Sequence, residues 1–281
     1  MNRRRNRIFF FVPGIDTIVQ HLLRRTLLPD RLYSALSNIH FFLSFIIILF
    51  SFSAFAQKQT GTIKISFTNT VNGVPLVLND SVYSNPFKEN YRVSKLKYYV
   101  SNLKANKPGS IQKEKNSYHL INEADTASLH FSFSLKAGKY TSLDLFLGVD
   151  SLRNCSGAQT GALDPLNDMF WTWNSGYVML KLEGSSPASS QVSNRFEYHI
   201  GGYAGANNVI KKLRLSSPFE IIAGKTTELI IETDINKFWH EPNNIMIVTT
   251  PVCTTPGALA QKIAANYSKM FSIKNATVLK N

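Results

Sequence analysis

The sequence predicts a mostly β protein: an antiparallel β-sandwich with Greek-key-like connections, a long ordered loop and a C-terminal helix. Apolar and polar residues alternate in about ten short segments, which is the pattern of strands with one buried face. Turn residues or loops interrupt this alternation roughly every 8–15 residues, a spacing typical of antiparallel sandwiches. The strand–helix–strand units that would indicate a parallel sheet are not apparent.

The first predicted strand is the strictly alternating segment Thr62-Ile63-Lys64-Ile65-Ser66-Phe67. The Asn72-Gly73 pair that follows it is a strong signal for a hairpin turn. Later segments show the same alternation, and Ala137-Gly138-Lys139 separates two of them as a turn. In chain order we predict strands over residues 62–67, 74–78, 95–103, 118–121, 129–135, 140–149, 177–182, 196–200, 210–215 and 228–232.

One amphipathic helix is predicted near the C-terminus. Thr255 can cap its first turn, and Pro256 suits the first helical position. Apolar residues then recur at helical spacing and form one face. These residues are Leu259, Ile263, Tyr267, Met270 and Phe271. A shorter helical segment is predicted around residues 234–239.

Residues 1–56 predict a leader with a signal peptide. The first seven residues include four arginines, and residues 41–55 are almost wholly apolar, a length that suits a signal peptide and is short for a membrane span. Ala54-Phe55-Ala56 has the small-x-small pattern of a signal peptidase site, so we expect cleavage after Ala56 and secretion to the periplasm or the medium. The stretch ahead of the apolar run is long for a signal peptide. A start site assigned too far upstream and an uncleaved N-terminal anchor are the alternatives.

Residues 57–281 are predicted to form a single domain, which is long enough to bury one core. The whole chain has a formal net charge of +13, and this part carries 24 basic and 16 acidic residues. The basic residues are scattered and mostly Lys, so we interpret the charge as surface solvation and exclude nucleic-acid binding. No stable membrane span is expected after signal cleavage.

The segment Gly148–Tyr177 is the best candidate for a functional site. Loops longer than about 12–15 residues without secondary structure are usually functional or disordered. Disorder is not expected here, because the segment contains too much aromatic surface: Phe170, Trp171, Trp173 and Tyr177. Trp171 and Trp173 point to one face of an extended segment. They are either core residues or, with Tyr177, a stacking platform or redox-modified aromatics.

Acidic and amide side chains of the same loop could hold Ca²⁺, which takes six to eight oxygen ligands. The candidates are Asp150, Asn154, Asp164, Asn167 and Asp168. Their spacing is not that of an EF-hand. Asp164-Pro165 and Asn167-Asp168 are equally natural turn residues, so a calcium site and a set of turns are both open.

Histidine offers no local metal motif, because no HxH, HxxxH or CxxC pair occurs in residues 57–281. A metal site would have to combine distant segments. His199 is the first candidate ligand, since it lies at a strand end just before Gly201-Gly202. His119 is the second candidate. His130 is expected on the surface and His240 in a polar loop.

The two cysteines, Cys155 and Cys253, predict a disulfide if the protein is exported. This bond would tie the long loop to the segment before the C-terminal helix. Closing a loop of about 100 residues contributes on the order of 4–5 kcal/mol in the chain-entropy model. Thiolate ligands for Cu(I) or Zn, and free thiols, are the alternatives.

Several segments resemble the MbnP-like family, secreted proteins related to the methanobactin-associated periplasmic copper-binding protein. The resemblance is carried by GVDSLRNCSGAQTGALDP and MFWTWNSGYVMLKLEG, followed by YHIGG and NYSKMFSI. VSKLKYYVSN, residues 93–102, is similar to the branch found in Bacteroidetes-type bacteria. The resemblance covers residues 61–275.

The resemblance implies a β-sandwich core, a periplasmic or surface location and copper handling. In the characterised branch, His residues bind copper near a Trp that a dihaem peroxidase-like enzyme oxidises to kynurenine. For this chain it implies His199 as a copper ligand, with Met169 or Met179 as further soft candidates. A dihaem cytochrome c peroxidase-like protein or an outer-membrane transporter is the implied partner.

The chain departs from that branch in its first strand. Phe67-Thr68-Asn69-Thr70 has neither the His nor the Trp of the His-Trp-His-like element found there. Two interpretations stay open: a secreted copper-binding or copper-delivery protein, and a metal-free secreted β-sandwich with a structural or ligand-binding role at the cell surface. An enzyme is not predicted, because no GxSxG motif occurs and no acid/base pair is set apart.

Overall fold

The computed structural model describes residues 59–157, 159–172 and 175–280. The unit Lys58–Asn281 is compact. The predicted leader, residues 1–56, and Trp173 lie outside the described residues.

The described residues form fifteen strands and three short α-helices. The strands are β1 (Thr60–Val71), β2 (Val74–Pro75), β3 (Tyr83–Ser84), β4 (Asn90–Lys107), β5 (Ser110–Lys113), β6 (Tyr118–Asn122), β7 (His130–Lys136), β8 (Gly138–Leu147), β9 (Phe170–Thr172), β10 (Gly176–Ser185), β11 (Arg195–Gly201), β12 (Lys211–Ile221), β13 (Thr226–Asp234), β14 (Val252–Cys253) and β15 (Phe271–Val278). The helices are α1 (Ser151–Asn154), α2 (Asn236–Trp239) and α3 (Ala258–Tyr267).

Two β-sheets pack as a sandwich, as predicted. The strand order is β15-β13-β1-β2 in the five-stranded sheet, where β7 also pairs with β1. It is β12-β8-β4-β10-β11-β14 in the ten-stranded sheet, where β3, β5 and β6 also pair with β4, and β9 with β10. The 18-residue strand β4 is the centre of the larger sheet.

Alternation along the strands creates the core between the sheets. On β1, Ile63, Ile65 and Phe67 are buried, while the residues between them are partly exposed. Tyr98 of β4 reaches across from the larger sheet. Its ring packs edge-on against Phe67 and Phe271, with ring centroids 5.9 and 5.3 Å apart.

Most strand pairs are antiparallel, as predicted, but two are parallel. These are β1 with β13 and β11 with β14. The sequence does not distinguish them, because side chains alternate between faces whatever the direction of the neighbouring strand.

The C-terminal helix is present, with different ends from those predicted. It begins at Ala258 with Gly257 at the cap position and no side-chain cap, so Thr255 does not cap it. It ends at Tyr267. Phe271 was predicted on the helix face, but it begins β15, a strand that the sequence analysis missed. Its ring packs on Tyr98 between the sheets and does not extend the helix face. The short helix α2 forms where it was predicted.

The long loop contains more secondary structure than its sequence indicates. It includes α1, two 3₁₀ turns at Gly161–Leu163 and Pro165–Asn167, and β9, which pairs with β10. The prediction of residues 74–78 as a strand is too long, since β2 has two residues. Strands β3, β5 and β14 were also missed. Elements of two to four residues are too short to show a period.

Candidate functional site

The outer face of the ten-stranded sheet, turned away from the five-stranded sheet, carries a row of ionisable side chains. Lys97 of β4 pairs with Lys181 of β10, and Lys181 pairs with His199 of β11. The adjacent row includes Tyr98 and is buried in the core. Because side chains alternate between the faces of a sheet, His199 points away from the core.

His199 is paired with a carboxylate from the neighbouring strand. Its Nε2 lies 2.8 Å from Glu183 Oε1, and the two side chains are 18% and 20% exposed. Lys95 Nζ lies 3.3 Å from Glu183 Oε2. The hydrogen bond from His199, together with the charge of Lys95, holds the pKa of Glu183 below its usual range although burial opposes this. Glu183 is therefore ionised at neutral pH.

Asp168 of the long loop completes this group. The Nζ of Lys181, whose side chain is 6% exposed, lies 2.6 Å from the main-chain oxygen of Asp168 and 3.0 Å from its Oδ2. Lys95 Nζ lies 3.1 Å from the same Oδ2. Burial raises the pKa of Asp168, but hydrogen bonds from both lysines outweigh it and leave the pKa lowered. We call His199, Glu183, Lys181, Lys95 and Asp168 the outer-face cluster.

The long loop lies on the outer face and is ordered, as predicted. Three sheet side chains donate hydrogen bonds to its main-chain carbonyls: Tyr99 to Ala162 (2.9 Å), Tyr177 to Leu163 (2.6 Å) and Lys97 to Asn167 (2.9 Å). The side chain of Leu163, a loop residue, is buried. The loop is thus fixed to the sheet beside the outer-face cluster.

Trp171 packs on β11, the strand that carries His199. A Cβ atom at Gly201 would lie 2.5 Å from the Trp171 ring, so the ring rests on the backbone of Gly201, two residues after His199. This close approach is the reason a glycine stands there. Trp171 is half-buried, whereas Tyr177 is fully buried and packs edge-on against Phe170 at 4.9 Å. Of Trp171 and Tyr177, Trp171 is therefore the better placed to contact a ligand.

Asp150 and Asn154 organise the start of the loop. The Asp150 carboxylate caps α1 and accepts hydrogen bonds from the Tyr118 hydroxyl and, at 2.8 Å, from the Asn102 amide. Asn154 is buried. Its amide donates to the Val149 carbonyl at 2.7 Å, and its Oδ1 accepts from the Tyr177 N–H at 2.9 Å.

The predicted calcium ligands do not converge. Asp164 caps the turn at residues 165–167, Asp150 caps α1, and Asp168 belongs to the outer-face cluster. Across residues 59–157, 159–172 and 175–280, no three or more His, Cys, Asp or Glu side chains form a group that could hold a metal ion. The loop carboxylates act as caps and ion-pair partners.

The other metal candidates are paired with other groups or buried. His119 pairs with Val100 on the inward side of β4, where its Nε2 lies 3.0 Å from both Glu114 oxygens and its ring stacks on Phe131 at 3.4 Å. Met169 is fully buried, and the Met179 sulfur accepts the Val149 N–H at 3.2 Å. His130 is exposed, as predicted.

The predicted disulfide between Cys155 and Cys253 is not formed; both thiols are free, one exposed and one buried. The exposed Cys155 thiol interacts with the Tyr203 hydroxyl, and this interaction raises the pKa of Tyr203. Cys253 is enclosed at the sheet edge in β14, and burial raises its pKa to about 11. The two thiols therefore lie in different environments, Cys155 exposed to solvent and Cys253 buried.

Titration with a thiol reagent should distinguish the two cysteines. We expect one fast-reacting thiol in the native protein, that of Cys155, because reactivity follows exposure and thiolate content. Cys253 should react only after unfolding, since its raised pKa keeps it protonated below about pH 10. Cys155→Ser should abolish the fast phase. Two thiols that appear only after reduction would show that the disulfide forms.

Comparison with known proteins places this chain in a family. A sequence profile of the MbnP family matches residues 60–255. The chain belongs to the MbnP family. Among solved structures it is similar to MbnP from Methylosinus trichosporium, at 12% identity and a TM-score of 0.51, covering 79% of this chain and 99% of that one. At such low identity the structural likeness shows the fold alone. No curated protein matches the chain.

In this MbnP-family chain, position 69 of the first strand faces the interior. Asn69 is 3% exposed; its Oδ1 accepts from the Tyr98 hydroxyl at 2.8 Å, and its amide donates to Glu123 at 2.7 Å. Tyr98 lies on the inner face of the ten-stranded sheet and His199 on the outer face. Positions 69 and 199 therefore cannot ligate the same ion.

Sequence analysis missed Lys95, Lys181 and Glu183. Their signal is present in VSKLKYY and VMLKLEG, where alternation puts Lys and Glu on one face of each strand. What the sequence does not indicate is that these two strands are neighbours. Among the described residues, no helix is long and apolar enough to cross a membrane.

Proposed function

We propose that this MbnP-family protein is an exported, non-enzymatic binding protein that takes a polar ligand at the outer-face cluster without a resident copper ion. The observation that carries this proposal is the pairing of His199 with Glu183 inside a network of lysines. The site lies beside an ordered loop on a rigid β scaffold, which is a common arrangement for binding sites.

The donors around His199 fit copper poorly. Soft thiolate or thioether and imidazole ligands suit copper, but His199 supplies a single imidazole, and its Nε2 is bound to Glu183. The Nζ atoms of Lys95 and Lys181 lie 3.3 and 4.0 Å from the Glu183 carboxylate oxygens. Two ammonium groups therefore occupy the positions that a metal cation would need. Like charges at such distances oppose metal binding.

The same arrangement suits a polar ligand. Asp168 and Lys95 are the most exposed members of the cluster, at 58% and 33%, and thus offer an acceptor and a donor at the surface. Trp171 adds an apolar ring on Gly201, two residues after His199. A few placed polar groups next to an aromatic side chain are typical of small-molecule sites.

Copper binding is the second candidate, and one observation favours it. The Trp171 ring packs on Gly201, two residues after His199, and the MbnP family's characterised branch has a modified Trp near its copper-binding His residues. In that case His199 would be a ligand, and a dihaem peroxidase-like protein or an outer-membrane transporter would be the partner.

Metal analysis separates the two candidates. The secreted protein, purified without a His tag, should retain well below one copper per chain before and after Cu(I) loading. His199→Ala should behave in the same way, and His130→Ala, an exposed histidine on the other sheet, is the matched control. Stoichiometric copper that is lost only in His199→Ala would establish the copper function. Stoichiometric copper retained in all three proteins would also contradict the metal-free proposal.

A further inference from the structure

A second charged feature lies on the same outer face, over β4, β8 and β12. It is a trough with a volume of about 390 Å³. Its lining includes a cross-strand row of Lys104, Asp144 and Arg214, a cross-strand pair of Phe146 and Lys212, and Asn102 at the irregular point of β4. None of these residues belongs to the outer-face cluster, so the trough is a separate site and does not rest on the proposed ligand or copper function.

The trough carries more positive than negative charge. Arg214 donates from Nε and Nη2 to the two Asp144 oxygens, both at 2.8 Å, which fixes the guanidinium. Within the described residues Nη1 has no partner. These hydrogen bonds lower the pKa of Asp144, so the carboxylate is ionised. Lys104 and Lys212 have no carboxylate within ion-pair distance among the described residues. Three cations thus surround a single carboxylate.

The spacing of these cations suits a repeating anion. Lys104 and Arg214 are two strands apart, which places their backbones about 10 Å from each other, and Lys212 lies about 7 Å along the strand from Arg214. Phe146 is the cross-strand partner of Lys212, whose Nζ lies 5.3 Å from its ring centre. An apolar ring among separated cations offers stacking for a sugar ring and charge pairing for its acidic groups.

We propose that this trough binds an acidic polysaccharide, with carboxylates on neighbouring sugars paired to Lys104, Lys212 and Arg214 and one sugar ring against Phe146. The trough crosses three strands on an outer sheet face, a shape that accepts a segment of an extended chain.

The test is calorimetric titration of the secreted protein with an oligomer of galacturonic acid and with its fully methyl-esterified, uncharged form. The acidic oligomer should bind and the ester should not. Lys104→Gln and Lys212→Gln should each weaken binding about tenfold, since each removes a charge-assisted contact. Lys225→Gln, an exposed lysine in the turn before β13, should leave binding unchanged.

Four results would overturn the proposal. They are equal binding of the ester, no binding of the acidic oligomer, an equal loss in Lys225→Gln, and competition by inorganic phosphate at the same concentration as the oligomer. The last result would indicate a site for small anions. Circular dichroism of each variant confirms that a loss of binding is not a loss of folding.

Discussion

Replacing Asn154 with Ala should cost about 3–5 kcal/mol of unfolding free energy and release the start of the long loop. The buried amide satisfies the Val149 carbonyl and the Tyr177 N–H, which join the end of β8, α1 and β10. Alanine leaves both groups buried without these partners, and each unsatisfied group costs about 1–3 kcal/mol. Urea unfolding and amide hydrogen exchange over residues 148–177 would measure the two effects.

Asn167→Ala is the matched control for this prediction. Its amide lies in the same loop and bonds two main-chain carbonyls, those of Gly161 and Ala162, but it is partly exposed. Water can replace its bonds, so we expect a loss of less than about 1 kcal/mol. If the two substitutions had equal effects, Asn154 would not be the anchor of the loop.

Lys181→Met should detach the loop from the outer-face cluster and cost about 2–3 kcal/mol. The substitution leaves the Asp168 carbonyl and the Glu183 carboxylate without their buried cation. The cost falls below that of a fully buried ion pair because the Asp168 side chain is 58% exposed and screened by water. Urea unfolding would give the cost, and hydrogen exchange at residues 161–169 would report loop release.

The same variant should change the pH dependence of stability. Burial raises the pKa of Asp168, but the hydrogen bonds from Lys181 and Lys95 outweigh it and lower the pKa in the folded protein. The contribution of Asp168 to stability is therefore complete above the unfolded value of about 4 and is lost as the pH falls through the folded value. Between about pH 5 and pH 2 the wild-type protein should therefore lose more stability than Lys181→Met. Lys274→Met, which removes the exposed pair with Glu232, should change the stability by less than about 1 kcal/mol. Parallel curves for wild type and Lys181→Met would contradict the prediction.

Much of the sandwich could be predicted from particular residues. Ile63, Ile65 and Phe67 alternate with polar neighbours, and such alternation defines both the strand and its buried face. The long loop was predicted to be ordered from its aromatic content, and Tyr177 is indeed buried beneath it. His199 was predicted at a strand end before two glycines, and it lies in β11 two residues before Gly201, on which the Trp171 ring packs.

Other features depend on contacts between residues far apart in the chain. Phe271 fits a helix face by spacing, yet it begins β15, because its ring packs on Tyr98 between the sheets. A disulfide was predicted because the exported part has two cysteines, Cys155 and Cys253. In the fold both thiols are free, one exposed and the other buried.

The sequence by itself determined which segments form strands and which face of each strand is polar. It also determined that the segment before Tyr177 is an ordered loop. These properties follow from local alternation and composition. Only the tertiary structure decided that Lys95, Glu183 and His199 share one face, and that Asn69 lies on the other side of the sheet from His199. The physical reason is that strand order and register arise from the packing of the whole core, and no short stretch of sequence encodes them.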